Sequence, residues 1–382
     1  MDFESLFDIP IDDLHTPCYL TDARLLQKNT ALLKQIQQRT GCKILLAQKA
    51  FSLFSAYPLI RDDLAGTTAS GLFEAKLGRK HFGKEVHVFS PAYTQEDFTQ
   101  LLELCDHIVF NSFGQWKKYR QQVQDATRNI SCGIRINPGY AEVETDLYNP
   151  CISGSRMGVP LEQMEDDFAG MDGIHFHTMC EQNSDVLERT LDHMLPQFDK
   201  WLKRCKWVNF GGGHHITRPD YDVERLVRCI ERVRDTYGVQ VYLEPGEAVA
   251  LNAGYLVATV LDVVHNGMDI AILDASAACH MPDVLEMPYR PHILYSGTAG
   301  KKTYTYRLAG NTCLAGDVIG DYSFDHQLQS GEKLVFCDMA IYSMVKNNTF
   351  NGVPLPDIAL YQNGHIDLVK RFGYADFEGR LS

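Results

Sequence analysis

The chain has 382 residues, 45% of them hydrophobic and 22% charged, with a net charge of −13. That is the balance of a globular protein long enough for two domains, or for one large barrel with an appendage. The acidic excess argues against nucleic acid and anionic membrane as partners and is compatible with cationic substrates. No stretch approaches the ~18 uninterrupted apolar residues of a membrane span. Met1 to Pro10 has neither a basic nor an apolar signal region, so no secretory leader is expected. Eleven cysteines without a C-x-x-C pair point to reduced thiols and a cytoplasmic protein.

In chain order, Thr16-Pro17-Cys18-Tyr19-Leu20 reads as extended. From residue 22 to about 247, helix-period segments then alternate with short apolar runs. Leu25, Leu26, Leu32, Leu33 and Ile36 lie at helical spacing; Thr94 and Asp97 form a capping-box pattern ahead of Phe98, Leu101 and Leu102. Val223, Leu226, Val227, Ile230 and Val233 make another stripe, with Gly238 as its stop. Eight candidate strands end near Lys49, Ser70, Ser90, Asn111, Asn137, His177, Gly211 and Glu244. The alternation predicts an α/β fold, a (β/α)8 barrel over 22–247 whose functional groups gather on one rim. After Glu247 the pattern changes. Leu256 to Val264, Met268 to Leu273, Thr303 to Leu308 and Lys333 to Phe336 read as strands without intervening helical stripes. Residues 1–21 and 248–382 are therefore expected to form a second, mostly β domain, with the barrel as an insertion.

Four features on the predicted rim bear on chemistry. Lys49 closes the run Ile44-Leu45-Leu46-Ala47-Gln48, where an ammonium costs free energy unless it is paired or used. Taken alone it reads as a lysine leaving the core; desolvated, it is also a Schiff-base former, which points to pyridoxal phosphate. Gly211-Gly212-Gly213 follows the seventh strand and is either a flexible turn or a loop whose amides approach a phosphate. Glu244 at the eighth strand is either a structural ion-pair partner or the carboxylate that keeps a pyridine nitrogen protonated. His175 and His177 share a strand face. Two ligands without a third make a poor metal site, so no metal is expected, and either ring packing in the core or stacking on a cofactor suits them.

Ala47-Gln48-Lys49-Ala50, Phe176-His177, Gly211-Gly212-Gly213, Glu244-Pro245-Gly246 and Gly310-Asn311-Thr312-Cys313 occur in that order across nearly the whole chain. The series resembles the fold type III pyridoxal-phosphate decarboxylases, the group of ornithine and diaminopimelate decarboxylases and alanine racemase. Cys180-Glu181-Gln182, Glu247, His280-Met281-Pro282-Asp283 and Cys313-Leu314-Ala315-Gly316-Asp317 are similar to the carboxynorspermidine/carboxyspermidine branch of that family. The resemblance implies that Lys49 carries the cofactor, His177 stacks on its ring and Glu244 pairs with its nitrogen. It implies that Gly211, Gly212, Gly213 and Tyr342 bind the phosphate, and that Cys313 crosses from a second subunit of a homodimer with shared active sites to protonate the carbanion. Two departures from the ornithine enzymes stand out: Glu247 where they have arginine, and Leu314 where they have aspartate after the cysteine. Cys180 also stands where a phosphate-binding serine is common.

The substrates so implied are α-amino acids with a polyamine tail, whose ammonium groups call for carboxylates beyond the cofactor. Glu181, Asp283, Glu286 and Asp317 are the candidates, each also readable as ordinary surface acid. An amino-acid racemase or another decarboxylase of this fold is the nearest alternative, and Glu244 sits awkwardly with a racemase. A non-catalytic cofactor-binding regulator is the alternative of another class; such a chain would be expected to have lost Lys49 or Cys313.

Overall fold

The computed structural model describes Glu4 and residues 7–382; Met1–Phe3, Ser5 and Leu6, part of the N-terminal stretch read above, lie outside them. The chain divides into two compact units, Gln27–Val249 and Met1–Leu26 with Ala250–Ser382.

The first unit is a parallel barrel. Its eight strands are Lys43–Ala47, Gly66–Ala69, Glu85–Phe89, His107–Phe110, Ser131–Asn137, Gly173–His175, Trp207–Asn209 and Gln240–Leu243. The last closes onto the first through Tyr242 opposite Lys43 and Leu243 opposite Ile44. The strands are short and mostly buried, as expected where helices cover one face and side chains fill the other. The local signals act as their chemistry dictates. Thr94 Oγ1 accepts from the Asp97 N–H at 3.0 Å and starts helix Gln95–Leu104. Helix Val223–Tyr237 ends on Gly238 at φ +66°, a conformation that costs glycine little. A two-residue strand, Val159–Pro160, beside Ser131–Asn137 was not foreseen.

The N-terminal ends of the strands are plugged. Trp207 covers the sixth strand so closely that a Cβ on Gly173 would lie 2.1 Å from the indole, and its Nε1–H donates to Ser131 Oγ at 2.8 Å. Lys43 pairs with Glu85, His87 Nε2 meets the same carboxylate at 3.2 Å, and the His87 and His107 rings stack at 3.9 Å. Glu85, His87 and His107 place potential ligand atoms within 4.8 Å of one another, but the Lys43 ammonium already supplies the neutralising cation. Chemistry is left to the opposite, C-terminal rim.

The second unit is a sheet built around Cys18–Asp22, which lies between Gly254–His265 (antiparallel) and Asp357–Gln362 (parallel). Asp269–Leu273, Tyr304–Ala309, Val318–Phe324 and Lys333–Cys337 extend it. Tyr19, Leu256, Leu308, Ile319 and Phe336 are among its buried core. Four strands escaped the sequence reading, the shortest of them Gly297–Thr298 beside Val318–Phe324. Val318–Phe324 is interrupted by Gly320, at φ +158°. Asp357–Gln362 opens on a buried acid that accepts from His15 and Arg371, each at 3.0 Å, and His365–Lys370 is a mostly exposed edge in which polar and apolar residues alternate only over its first four positions. Among the described residues no helix is long and apolar enough to cross a membrane.

Candidate active site

Lys49 stands two residues beyond the first barrel strand, in a turn closed by the Ala50 N–H on the Ala47 carbonyl at 3.1 Å. Its neighbour Gln48 is buried and pinned, donating to the Glu74 carbonyl at 2.8 Å and accepting from Tyr57 OH at 3.0 Å. Lys49 itself is open to solvent yet crowded by protein atoms, as a side chain standing in a recess would be. Desolvation lowers its pKa and Arg135 adds to the effect, against the pull of Glu244 and Glu247. The amine is thereby nearer its neutral, nucleophilic form than a surface lysine.

Glu244 lies one residue past the eighth strand, buried. Its Oε1 accepts from the Asn209 amide at 2.8 Å and its Oε2 meets His175 Nε2 at 3.2 Å. Burial would raise this carboxyl, but the His175 ring, with His87 and Asn209, outweighs it and holds the group well below the usual carboxylate range. Burial lowers the His175 ring while Glu244 pulls it back up, and the contact is an N–H donated to a carboxylate. A carboxylate kept ionised inside a barrel can stabilise a cation brought beside it.

The glycine run is wedged between neighbouring loops. Gly211 and Gly213 take φ +70° and +84°, and a Cβ at Gly213 would lie 2.0 Å from the Met179 carbonyl. The Gly211 N–H goes to Asn209 Oδ1 at 2.9 Å and the Gly212 N–H to His177 Nδ1 at 2.7 Å. Two of the three amides are thus engaged within the barrel. The second bond fixes His177 as the tautomer with its proton on Nε2, and burial, with Lys49 and Arg135 nearby, lowers the ring's pKa well below its ordinary value.

Glu247 is not a loose acid beside this loop: its Oε2 pairs with His215 Nε2 at 3.0 Å. Burial pushes the half-buried Cys180 thiol up to about 12, so it stays protonated. Glu181 is exposed and takes φ +53°. A side chain holds such backbone at a cost on the order of 1–3 kcal/mol, the kind of strain that collects at functional positions.

The remaining candidates belong to the β unit. Tyr342 takes φ +55°. Cys313 is the one exposed cysteine. Asp283 and Glu286 share Lys346, whose Nζ lies 2.6 Å from Glu286 Oε2 and also pairs with Asp283. Asp317 is 2% exposed, with one carboxylate oxygen bonded to Thr312 in its own loop and the other to the Ala278 N–H.

Arg135 and Asn209 were missed as site residues. Arg135 lies over the Phe89 ring at 4.6 Å and donates to the His177 carbonyl at 3.2 Å. Desolvation lowers its pKa to about 10. The signal was present: Arg135 interrupts the apolar run Cys132-Gly133-Ile134-Arg135-Ile136 as Lys49 does its own.

A model of the pyridoxal-dependent decarboxylases, described as their C-terminal sheet domain, matches residues 18–340. The chain belongs to this family. The pyridoxal-dependent decarboxylases include two relatives that are each 41% identical to it. One is the carboxynorspermidine/carboxyspermidine decarboxylase of Campylobacter jejuni, covering 97% of this chain and 99% of the relative. The other is the carboxyaminopropylagmatine decarboxylase of Synechocystis, covering 97% and 96%. A crystal structure of C. jejuni carboxynorspermidine decarboxylase complexed with norspermidine superposes with a TM-score of 0.89 at 40% identity, over 96% of this chain and all of that one. A barrel with an added β domain is thus the family architecture, and the chain is a pyridoxal-phosphate-dependent decarboxylase.

Proposed function

We propose that the chain decarboxylates carboxynorspermidine and carboxyspermidine, giving norspermidine and spermidine in polyamine synthesis. The near-full-length 41% identity to the C. jejuni enzyme carries this reading. The residues fit pyridoxal phosphate: an amine of lowered pKa in a recess, a carboxylate kept ionised against burial, and a loop with no room for side chains.

When bound, the cofactor supplies an electron sink for the carbanion left by loss of carbon dioxide. Lys49 would attach it through Nζ, Glu244 would hold a proton at the ring nitrogen, and His177 would pack on the ring. Gly213, with Tyr342, would take the phosphate, and Gly211 and Gly212, whose amides are engaged within the barrel, would shape the loop that approaches it. Glu247 replaces the arginine of the ornithine enzymes, and its pairing with His215 keeps a bare carboxylate from facing that dianion. Cys313, from the second subunit of a cytoplasmic homodimer, would return a proton from Sγ to the substrate carbon. Glu181, Asp283 and Glu286 remain candidates for the ammonium groups of the tail, which at Asp283 and Glu286 would compete with Lys346.

One observation favours a second reading: the Synechocystis carboxyaminopropylagmatine decarboxylase is equally similar. Its substrate shares the amino-acid head and differs at the far end, a guanidinium instead of an ammonium. Assays of the purified protein with carboxynorspermidine, carboxyspermidine, carboxyaminopropylagmatine, ornithine and diaminopimelate separate the readings. We expect the two carboxylated triamines to be the best substrates, with ornithine and diaminopimelate lower in kcat/KM by about 30-fold or more, since a lost ammonium–carboxylate contact costs roughly 2–5 kcal/mol. Turnover confined to carboxyaminopropylagmatine would establish the second reading, and ornithine turned over as well as carboxynorspermidine would sink both. In the same preparations, borohydride should fix the cofactor on the peptide containing Lys49; label on another lysine would refute its assignment.

A further inference from the structure

The segment Gly310–Asp317 leaves the strand Tyr304–Ala309 and carries Cys313 at its exposed tip. An exposed loop cannot aim a thiol unless something internal holds it. Its closing residue, Asp317, is buried and does so. Thr312 Oγ1 donates to Asp317 Oδ2 at 2.7 Å, and the Ala278 N–H donates to Oδ1 at 3.2 Å. The same hydroxyl accepts from the Leu314 N–H at 3.4 Å, so Thr312 links the carboxylate to both sides of the cysteine. The main chain closes the loop twice, Gly310 N–H to the Asp317 carbonyl and Asp317 N–H to the Leu314 carbonyl, each at 2.9 Å. The carboxylate sits so tightly in the loop that a Cβ on Gly310 would lie 2.2 Å from Oδ2. On the other side, the Cys313 N–H donates to Asn351 Oδ1 at 2.8 Å.

We propose that Asp317 is a positioning residue: acting through the Thr312 hydroxyl, it sets the direction of the Cys313 thiol and does not meet the substrate's tail. Two observations carry this. The carboxylate is buried, and its oxygens are held between Thr312, in the segment that presents the cysteine, and the Ala278 N–H of the helix Ala277–His280. The inference rests on the proton-returning role proposed for Cys313.

The test uses the holoenzyme with Asp317→Asn, Thr312→Val, Thr312→Ser and Cys313→Ala. Asp317→Asn and Thr312→Val should lower kcat by about tenfold or more, with KM for each tailed substrate within about twofold of wild type. Thr312→Ser, which keeps the hydroxyl, should restore kcat to within about twofold of wild type. In a Cys313→Ala background, Thr312→Val should cost less than about twofold, because the group it positions is gone. A tenfold rise in KM with kcat kept would make Asp317 a substrate carboxylate and overturn the proposal. So would an undiminished Thr312→Val effect in the Cys313→Ala background, which would mark a role in folding alone. Thr312→Val covers the case in which Asp317→Asn does not fold.

Alkylation separates this inference from the functional reading. If the wild type decarboxylated none of the substrates, that reading would fail while the thiol could still be followed. Iodoacetamide labelling of the Cys313 peptide should then change by about threefold or more in Thr312→Val and remain at the wild-type rate in Thr312→Ser. Equal labelling of wild type and Thr312→Val would overturn the proposal by itself.

Discussion

Glu244→Gln is expected to lower kcat by about two orders of magnitude, equivalent to ~2.7 kcal/mol of transition-state stabilisation, with the cofactor still bound. The substitution preserves shape but removes the charge that a protonated ring nitrogen would face. The Asn209 amide and the His175 N–H now donate to the carboxylate oxygens. A glutamine there keeps one acceptor and turns an NH2 group toward a donor, so modest repacking accompanies the loss of charge. Absorbance of the bound cofactor and single-turnover rates distinguish these effects. A lost sink slows the chemical step with retained cofactor absorbance, whereas a disrupted pocket loses the cofactor first. Turnover equal to wild type would leave Glu244 as a structural partner of His175 and Asn209.

Mixing an inactive Lys49→Ala chain with a Cys313→Ala chain reduced to slow residual turnover should restore activity. If Cys313 reaches across a two-fold dimer, Lys49→Ala and Cys313→Ala chains form hybrids in which one of the two sites has both residues intact. Random exchange between equal amounts makes half the dimers hybrid, giving roughly a quarter of wild-type activity if the sites are independent. The Lys49→Ala chain alone should be at background, because the substitution removes the amine that would hold the cofactor. Subunit exchange is followed by mass or by a tag on one parent. Exchange without recovered activity would place Cys313 in its own chain's site or outside catalysis.

The barrel was legible because most of its strands are short, largely apolar runs closed by a polar residue, and because Thr94 and Gly238 mark helix ends chemically. Lys49 and Glu244 could be singled out because a charge ending such a run is costly unless used. Arg135 was overlooked because polar residues were sought at strand ends, whereas it lies within its strand, and Asn209 because the seventh strand was read as running on to Gly211 when it ends on Asn209; both side chains are buried. Asp317 shows a different limit. Its place in the Cys313 motif marks it as relevant, but sequence does not say which way a carboxylate points; only the Thr312 and Ala278 bonds turn it inward. Likewise nothing in the spacing of Asp283 and Glu286 announces Lys346, which comes from a segment about 60 residues later.

The placement of Cys18–Asp22 between strands from the last third of the chain bears on synthesis. This strand, buried along its whole length, is made early, but its neighbours Gly254–His265 and Asp357–Gln362 come only after the barrel sequence. At roughly 5–20 residues per second it waits on the order of tens of seconds for the first of them. During that interval Cys18, Tyr19 and Leu20 present an apolar edge with unpaired amides, a template for wrong partners. A ribosome that stops before Gly254 therefore releases more than a shortened enzyme: it releases a chain whose first strand has no sheet to enter.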